Sequence, residues 1–131
     1  ERLLHYGIAE ITLGLGVRAD VHQLYNTMDV FVFPSVTEGQ PNALIEAMLC
    51  GVPIVASDIP GIRETIPLAL VRNLFPPRDI TAASKLVKAA LSDPTNPQVL
   101  IPWAQERYEL QRNLDAALRQ IAHPRLSTSY A

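Results

Sequence analysis

Residues 30–58 narrow the folds open to this chain more than any other stretch. A β-branched and aromatic run, "VFVFP", is followed by a glycine- and proline-containing loop, "SVTEGQP". Good helix formers closed by Gly51, "NALIEAMLCG", then lead into a second apolar run, "VPIVASD". Runs that are apolar throughout belong to strands covered on both faces. Helix-forming composition with a terminal glycine marks the segment between them as helical. Two strands joined through such a crossover lie parallel. The unit predicts an α/β domain, a parallel sheet with helices on both faces. Ligands of such sheets bind beyond the carboxyl ends of the strands, which puts the loop 35–42 and the segment 57–61 on the functional edge.

The flanking segments extend the pattern. "ERLLHYGIAE" reads as the last turns of an amphipathic helix ended by Gly7, and "EITLGLGV" as a short strand running into a loop. Asp20, with Gln23 three residues on, resembles a capping box for a short helix ending near Asp29. Beyond the central unit, "GIRETI" predicts a short helix and "LALVRNLFPP" a third strand with a proline stop. Ile80, Ala83, Leu86, Val87, Ala90 and Leu91 recur at helical spacing, so 79–91 is a surface helix with one buried stripe. "SDPTNP" breaks it; residues 98 to about 121 are helical in composition but interrupted by Pro102, and 123–131 form a loose tail. The chain is therefore read as one domain, 1–122, and a tail, 123–131.

Composition excludes several classes. With 131 residues, 48% apolar, the chain can build one core and not two. A formal net charge of −2 without a basic run gives no footprint for nucleic acid. Cys50 is the single cysteine, which rules out an internal disulfide and agrees with a reducing, cytoplasmic compartment. No apolar run approaches the roughly 20 residues of a membrane span. The chain begins at Glu1 within a helical pattern and is expected to be a piece of something longer.

Glu46 stands among Leu44, Ile45, Ala47, Met48 and Leu49, which together cover nearly all faces of its helix. A buried carboxylate there costs several kcal/mol unless it is paired. Either Glu46 sits at a rim or pairs with a cation such as Arg63, or it accepts hydrogen bonds from ligand hydroxyls. Glu38 lies eight positions earlier, beside Gly39, where the backbone can approach a ligand. If the helix begins near Pro41 or Asn42, its free N–H groups and positive dipole end face the same place and suit a phosphate. One carboxylate for a sugar, amides for a phosphate and a second carboxylate for a ribose describe a nucleotide-sugar site.

"EGQPNALIEAMLCGVPIVASD", preceded by "DVFVFPS" and followed by "IPGIRETI", resembles the C-terminal, donor-binding domain of the family 4 retaining glycosyltransferases. That resemblance runs, more weakly, from about Glu1 to Leu91. It implies a Rossmann-like fold, as part of the two-domain GT-B architecture, truncated at its start. It also implies roles: Glu38 for hydroxyls of the donor sugar, amides of Gly39, Gln40, Asn42 and Ala43 for sugar hydroxyls and diphosphate, and Glu46 for the ribose. Pro41 lacks an N–H and contributes none. The implied reaction moves a hexosyl group from a UDP-, GDP- or ADP-sugar to a glycan or lipid-linked acceptor with retention, with no cofactor and no metal. Work on polysaccharides and other envelope glycans, at the cytoplasmic face of a membrane, goes with it.

The resemblance also says what to look for elsewhere. The family's donor domain opens with two further βα units that supply an arginine and a lysine, and its acceptor domain supplies a histidine; His5, His22 and His123 do not match that residue. The isolated chain is accordingly expected to be inactive and to self-associate through exposed strand edges. Three other readings stand beside the transferase: a non-catalytic nucleotide-binding or interaction module of the same fold, a hydrolase using Glu38 and Glu46 as its carboxylate pair, and a sugar-nucleotide epimerase. Cys50 and Trp103 are read as packing residues. Arg63 and Glu64 either close the donor pocket or form a helix-start salt bridge, and Ser57 and Asp58 lie on the ligand-binding edge.

Overall fold

The computed structural model describes residues 5–93 and 100–109. Three strands, β1 (Phe31–Phe33), β2 (Ile54–Ser57) and β3 (Leu74–Phe75), form a parallel sheet in that spatial order. Phe31 lies opposite Ile54 and Phe33 opposite Ala56, while Ser57 lies opposite Phe75. Five helical segments matter: α1 (Val21–Tyr25), α2 (Asn42–Leu49), α3 (Pro60–Arg63), α4 (Ile80–Ser92), and α5, residues 100–109.

All four residues of β2 are buried, as an apolar run in a central strand requires. Its alternating side chains feed two cores. Ile54 and Ala56 join Leu44, Met48, Ile62 and Leu100, from α2, α3 and α5. Val55 joins Phe75 and Ala90, with Leu86 and Val87 of α4 packed alongside. Helices thus cover both faces, and the α/β layer is the one the sequence predicts.

Local chemistry explains where the elements stop. Gly51, at φ +73°, ends α2 with the paired bonds of a Schellman cap, Gly51 N–H to the Met48 carbonyl and Val52 N–H to that of Ala47. Asp79 caps α4, its carboxylate accepting the Ala82 N–H at 2.8 Å. Pro102 lies within the helical run of α5 and does not interrupt it. Trp103 packs against the first core and meets Tyr108 edge-on, as an anchor should.

Several expectations are corrected. "EITLGLGV" forms no strand: Ala9–Ile11 is a 3-10 turn, and Ile11, Leu13 and Val17 are 84%, 81% and 106% exposed. A parallel strand exists only where a neighbour satisfies its ladder, and among the described residues none lies beside this segment. "VFVFP" is a strand, but Val32 is 42% exposed, so one face is open. In "LALVRNLFPP" only Leu74–Phe75 is strand, Leu68–Asn73 being 3-10 helix. α1 ends at Tyr25, short of Asp29, and its capping box is absent because Arg18 holds the Asp20 carboxylate in a two-pronged ion pair. The part of the expected helix before residue 5, the helical composition expected beyond residue 109 and the expected tail 123–131 lie outside the described residues.

Candidate functional site

α2 is not buried all round. Leu44, Ile45, Ala47 and Met48 enter the core, whereas Asn42, Glu46 and Leu49 are exposed. Spacings of four and three put those three on one stripe of the helix. Glu46 therefore points to open space rather than into the core. Arg63 is not its partner, for it pairs in two-pronged fashion with Asp58 just ahead of α3. That ion pair is the helix-start salt bridge foreseen for Arg63.

The loop ahead of α2 is held tightly. Pro41 is fully buried at the N-cap position, with φ −78° and ψ 82°, and the Asn42 N–H donates to the Gln40 carbonyl at 3.0 Å across it. This is an inverse γ-turn. It engages the Asn42 amide, while the Gly39, Gln40 and Ala43 amides have no acceptor among the described residues. Behind the loop lies Gly61: a Cβ built there would stand 2.3 Å from the Glu38 carbonyl oxygen and 2.9 Å from that of Gly39. Only glycine permits this approach, so α3 sets the position of the Glu38–Gly39 backbone.

Two cavities flank this framework. One, of about 470 Å³, is lined by Val21, His22, Tyr25, Glu46, Leu49 and Cys50, among others. The second, of about 270 Å³, runs between the Gly39–Gln40 backbone, Gly61 and Thr65 of the α3 region, and Arg107 and Tyr108 of α5. α5 reaches it by two bonds, Tyr108 hydroxyl to the Thr65 carbonyl at 2.8 Å and Arg107 Nη2 to the Glu64 carbonyl at 3.0 Å.

Within the first cavity, the Tyr25 hydroxyl donates to Oε2 of Glu46 at 3.2 Å. Burial, then the charge of Glu46, push the tyrosine up to about 12, so it stays a neutral donor. The same two causes push the Cys50 thiol up. A protonated, half-buried thiol is a poor nucleophile, in keeping with its reading as a packing residue.

The structure thus gathers Gly39, Gln40, Asn42, Ala43 and Glu46 on one loop and helix, with half-buried Glu38 on the same loop. Asp58 lies in the ion pair described above, and the hydroxyl of buried Ser57 has no partner among the described residues. Tyr25, Arg107 and Tyr108 were not foreseen. Tyr25 is 21 positions from Glu46 and Tyr108 is 43 from Thr65, and no local pattern reports such contacts. Among the described residues, no cluster of three or more His, Cys, Asp or Glu that could hold a metal forms, and no helix is long and apolar enough to cross a membrane.

Residues 2–107 match the family model described as "Glycosyl transferases group 1". EpsF of Bacillus subtilis, a protein named as a glycosyltransferase, is 35% identical over 108 residues, covering 81% of this chain and 28% of its own length. An Escherichia coli UDP-Gal:alpha-D-GlcNAc-diphosphoundecaprenol alpha-1,3-galactosyltransferase is 45% identical over 61 residues, 47% of this chain and 14% of that protein. Among solved structures, sucrose-phosphate synthase from Thermosynechococcus elongatus superposes with a TM-score of 0.65 at 28% identity, over 88% of this chain and 33% of that one. The chain spans little more than a quarter of the length of the curated relatives it matches, or less.

Proposed function

This chain belongs to the group 1 glycosyl transferases, and from that we propose that it is the donor-binding part of a family 4 retaining hexosyltransferase of GT-B architecture. The donor is a UDP-, GDP- or ADP-sugar. The acceptor is a glycan or a lipid-linked sugar, reached through chain beyond these residues. The galactosyltransferase relative, named for a UDP-sugar donor and a diphosphoundecaprenol acceptor, favours that class. In this reading the protein acts in the cytoplasm, at the cytoplasmic face of a membrane where the acceptor is lipid-linked.

The observation that carries the reading is the open stripe of α2. Glu46 stands four residues beyond Asn42, a rise of about 6 Å along the axis. That is comparable with the separation of a diphosphate from the ribose hydroxyls of one nucleotide. A diphosphate at the helix start meets the Gly39, Gln40 and Ala43 amides and the positive end of the helix dipole. The ribose then reaches Glu46, and the sugar lies toward Glu38. In the transfer, the bond from the anomeric carbon to the diphosphate oxygen breaks and the acceptor oxygen bonds to that carbon on the same face. The acceptor's proton leaves with the diphosphate. Amides and helix dipole meet the charge that grows on the leaving oxygen, with no metal assigned and neither glutamate acting as nucleophile.

Calorimetric titration of the chain with UDP, GDP and ADP tests this. A hydrogen bond to a charged group contributes about 1.5–3 kcal/mol, so Glu46→Gln should weaken the preferred nucleotide at least about tenfold. Unchanged affinity in the variant would overturn the assignment of Glu46.

A further inference from the structure

Tyr25 has a position that packing alone does not explain. It is 4% exposed, set edge-on against Phe31 at 5.6 Å, and Phe31 in turn stacks on Phe33 of the same strand. Yet its hydroxyl, the one polar atom of the ring, is aimed out of this aromatic wall at an exposed carboxylate. A glutamate on an open helix face has several rotatable bonds and would otherwise sample many orientations. The tyrosine removes that freedom from Oε2 and leaves Oε1 and the remaining lone pairs as acceptors inside the 470 Å³ cavity that both residues line.

We infer that Tyr25 is a positioning residue that orients Glu46 to accept two hydroxyls of a vicinal diol, so that the site takes ribonucleotide donors and rejects 2′-deoxyribonucleotide ones. This rests on the reading of Glu46 as the ribose ligand and adds what sets its selectivity. A carboxylate fixed in one plane receives both hydroxyls of a ribose at once. A 2′-deoxyribose offers one, and the second acceptor stays unsatisfied. Sites built to bond a hydroxyl discriminate strongly against analogues lacking it. At 3.2 Å the tyrosine bond is longer than the 2.5–2.7 Å usual for a hydroxyl on a carboxylate. Such contacts tighten as a ligand displaces water. Throughout the neutral range Tyr25 remains protonated and able to donate.

The experiment measures dissociation constants of UDP, GDP and ADP and of their 2′-deoxy counterparts, for the wild-type chain, Tyr25→Phe, Glu46→Gln and Glu46→Asp. Tyr25→Phe keeps the ring and its packing on Phe31. Circular dichroism and the unfolding midpoint check each variant. The wild type should favour the ribonucleotide about tenfold or more. Tyr25→Phe should bring that ratio within about threefold of the Glu46→Gln value while the 2′-deoxy affinity holds. Glu46→Asp keeps the charge and the tyrosine but withdraws the carboxylate by one methylene, and should lose the ratio too. A ratio that survives Tyr25→Phe but not Glu46→Gln would overturn the role of Tyr25 and leave the ribose reading standing, as would an equal loss of both ligands. A wild type without preference, or without binding, would overturn both.

Discussion

Replacing Gly61 by alanine separates the framework of the site from its ligand contacts. Its φ lies outside the left-handed region, so alanine suits the backbone and only space is at issue. The new methyl would meet the Glu38 carbonyl oxygen at 2.3 Å, the Gly39 carbonyl oxygen at 2.9 Å and the Glu38 carbonyl carbon at 3.0 Å. Ordinary contact begins at 3.4 Å, so loop and helix must part by roughly 1 Å. All three atoms belong to backbone, so no flexible side chain can swing away. Overpacking of this kind costs about 1–3 kcal/mol, and the midpoint of thermal unfolding should fall by roughly 4 °C per kcal/mol. In the proposed site, the displaced atoms are the ones that would present Gly39 to a diphosphate. A 1 Å misplacement of a positioning group can cost about a hundredfold, and nucleotide affinity should fall well beyond what the stability change explains. Denaturant unfolding followed by circular dichroism, with titration of UDP or GDP under folding conditions, reads both effects. A variant with wild-type midpoint and wild-type affinity would refute the claim that Gly61 sets the loop.

Two further outcomes follow from the cavity beside Glu46. Cys50 lines it and is the chain's only cysteine, so a bound nucleoside diphosphate should slow alkylation of that thiol, read by mass spectrometry; equal rates with and without saturating nucleotide would remove the nucleotide from this cavity. Tyr25 is raised from 10.0 to about 12 in the folded chain, so folding favours its neutral form. Its contribution is complete below pH 10 and fades between pH 10 and about 12, where the wild type should lose unfolding free energy more steeply than Tyr25→Phe. Equal slopes would refute that.

The sequence made the fold legible where the local signal and the tertiary outcome share a cause. "VPIVA" is apolar throughout because β2 has a packed layer on each face, and "CGVP" contains the glycine that a Schellman cap needs. Legibility failed where the outcome depended on something distant. "ITLGLGV" has a strand's composition, but composition cannot supply the neighbouring strand that would satisfy its backbone. "LALVRNLFPP" is apolar enough for a strand, yet β2 offers pairing only at Ala56 and Ser57, and only Leu74 and Phe75 are used. The capping box at Asp20 was outcompeted by a guanidinium two residues away. Tyr25 and Arg107 join the cavity walls through contacts of long sequence separation.

Glu46 raised the sharpest question, and the structure turns it around. Its apolar neighbours suggested a helix covered on nearly all faces, with the carboxylate at a rim, paired with a cation such as Arg63, or held for ligand hydroxyls. Arg63 is excluded as that cation, and the open position agrees with a rim. With Asn42, Glu46 and Leu49 on an open stripe, the carboxylate is solvated and costs the fold little. Among the described residues, its hydrogen bond comes from a tyrosine that is otherwise committed to the core. A residue held for stability should be costly to remove; one held for a ligand should not. Glu46→Gln, which preserves shape and an acceptor oxygen for Tyr25, should therefore leave the unfolding midpoint close to wild type while nucleotide affinity falls, whereas Gly61→Ala lowers both. If Glu46→Gln instead destabilised the chain as much as Gly61→Ala does, the carboxylate would belong to the framework, and the site would have to be sought in the polar cavity between Gln40 and Arg107.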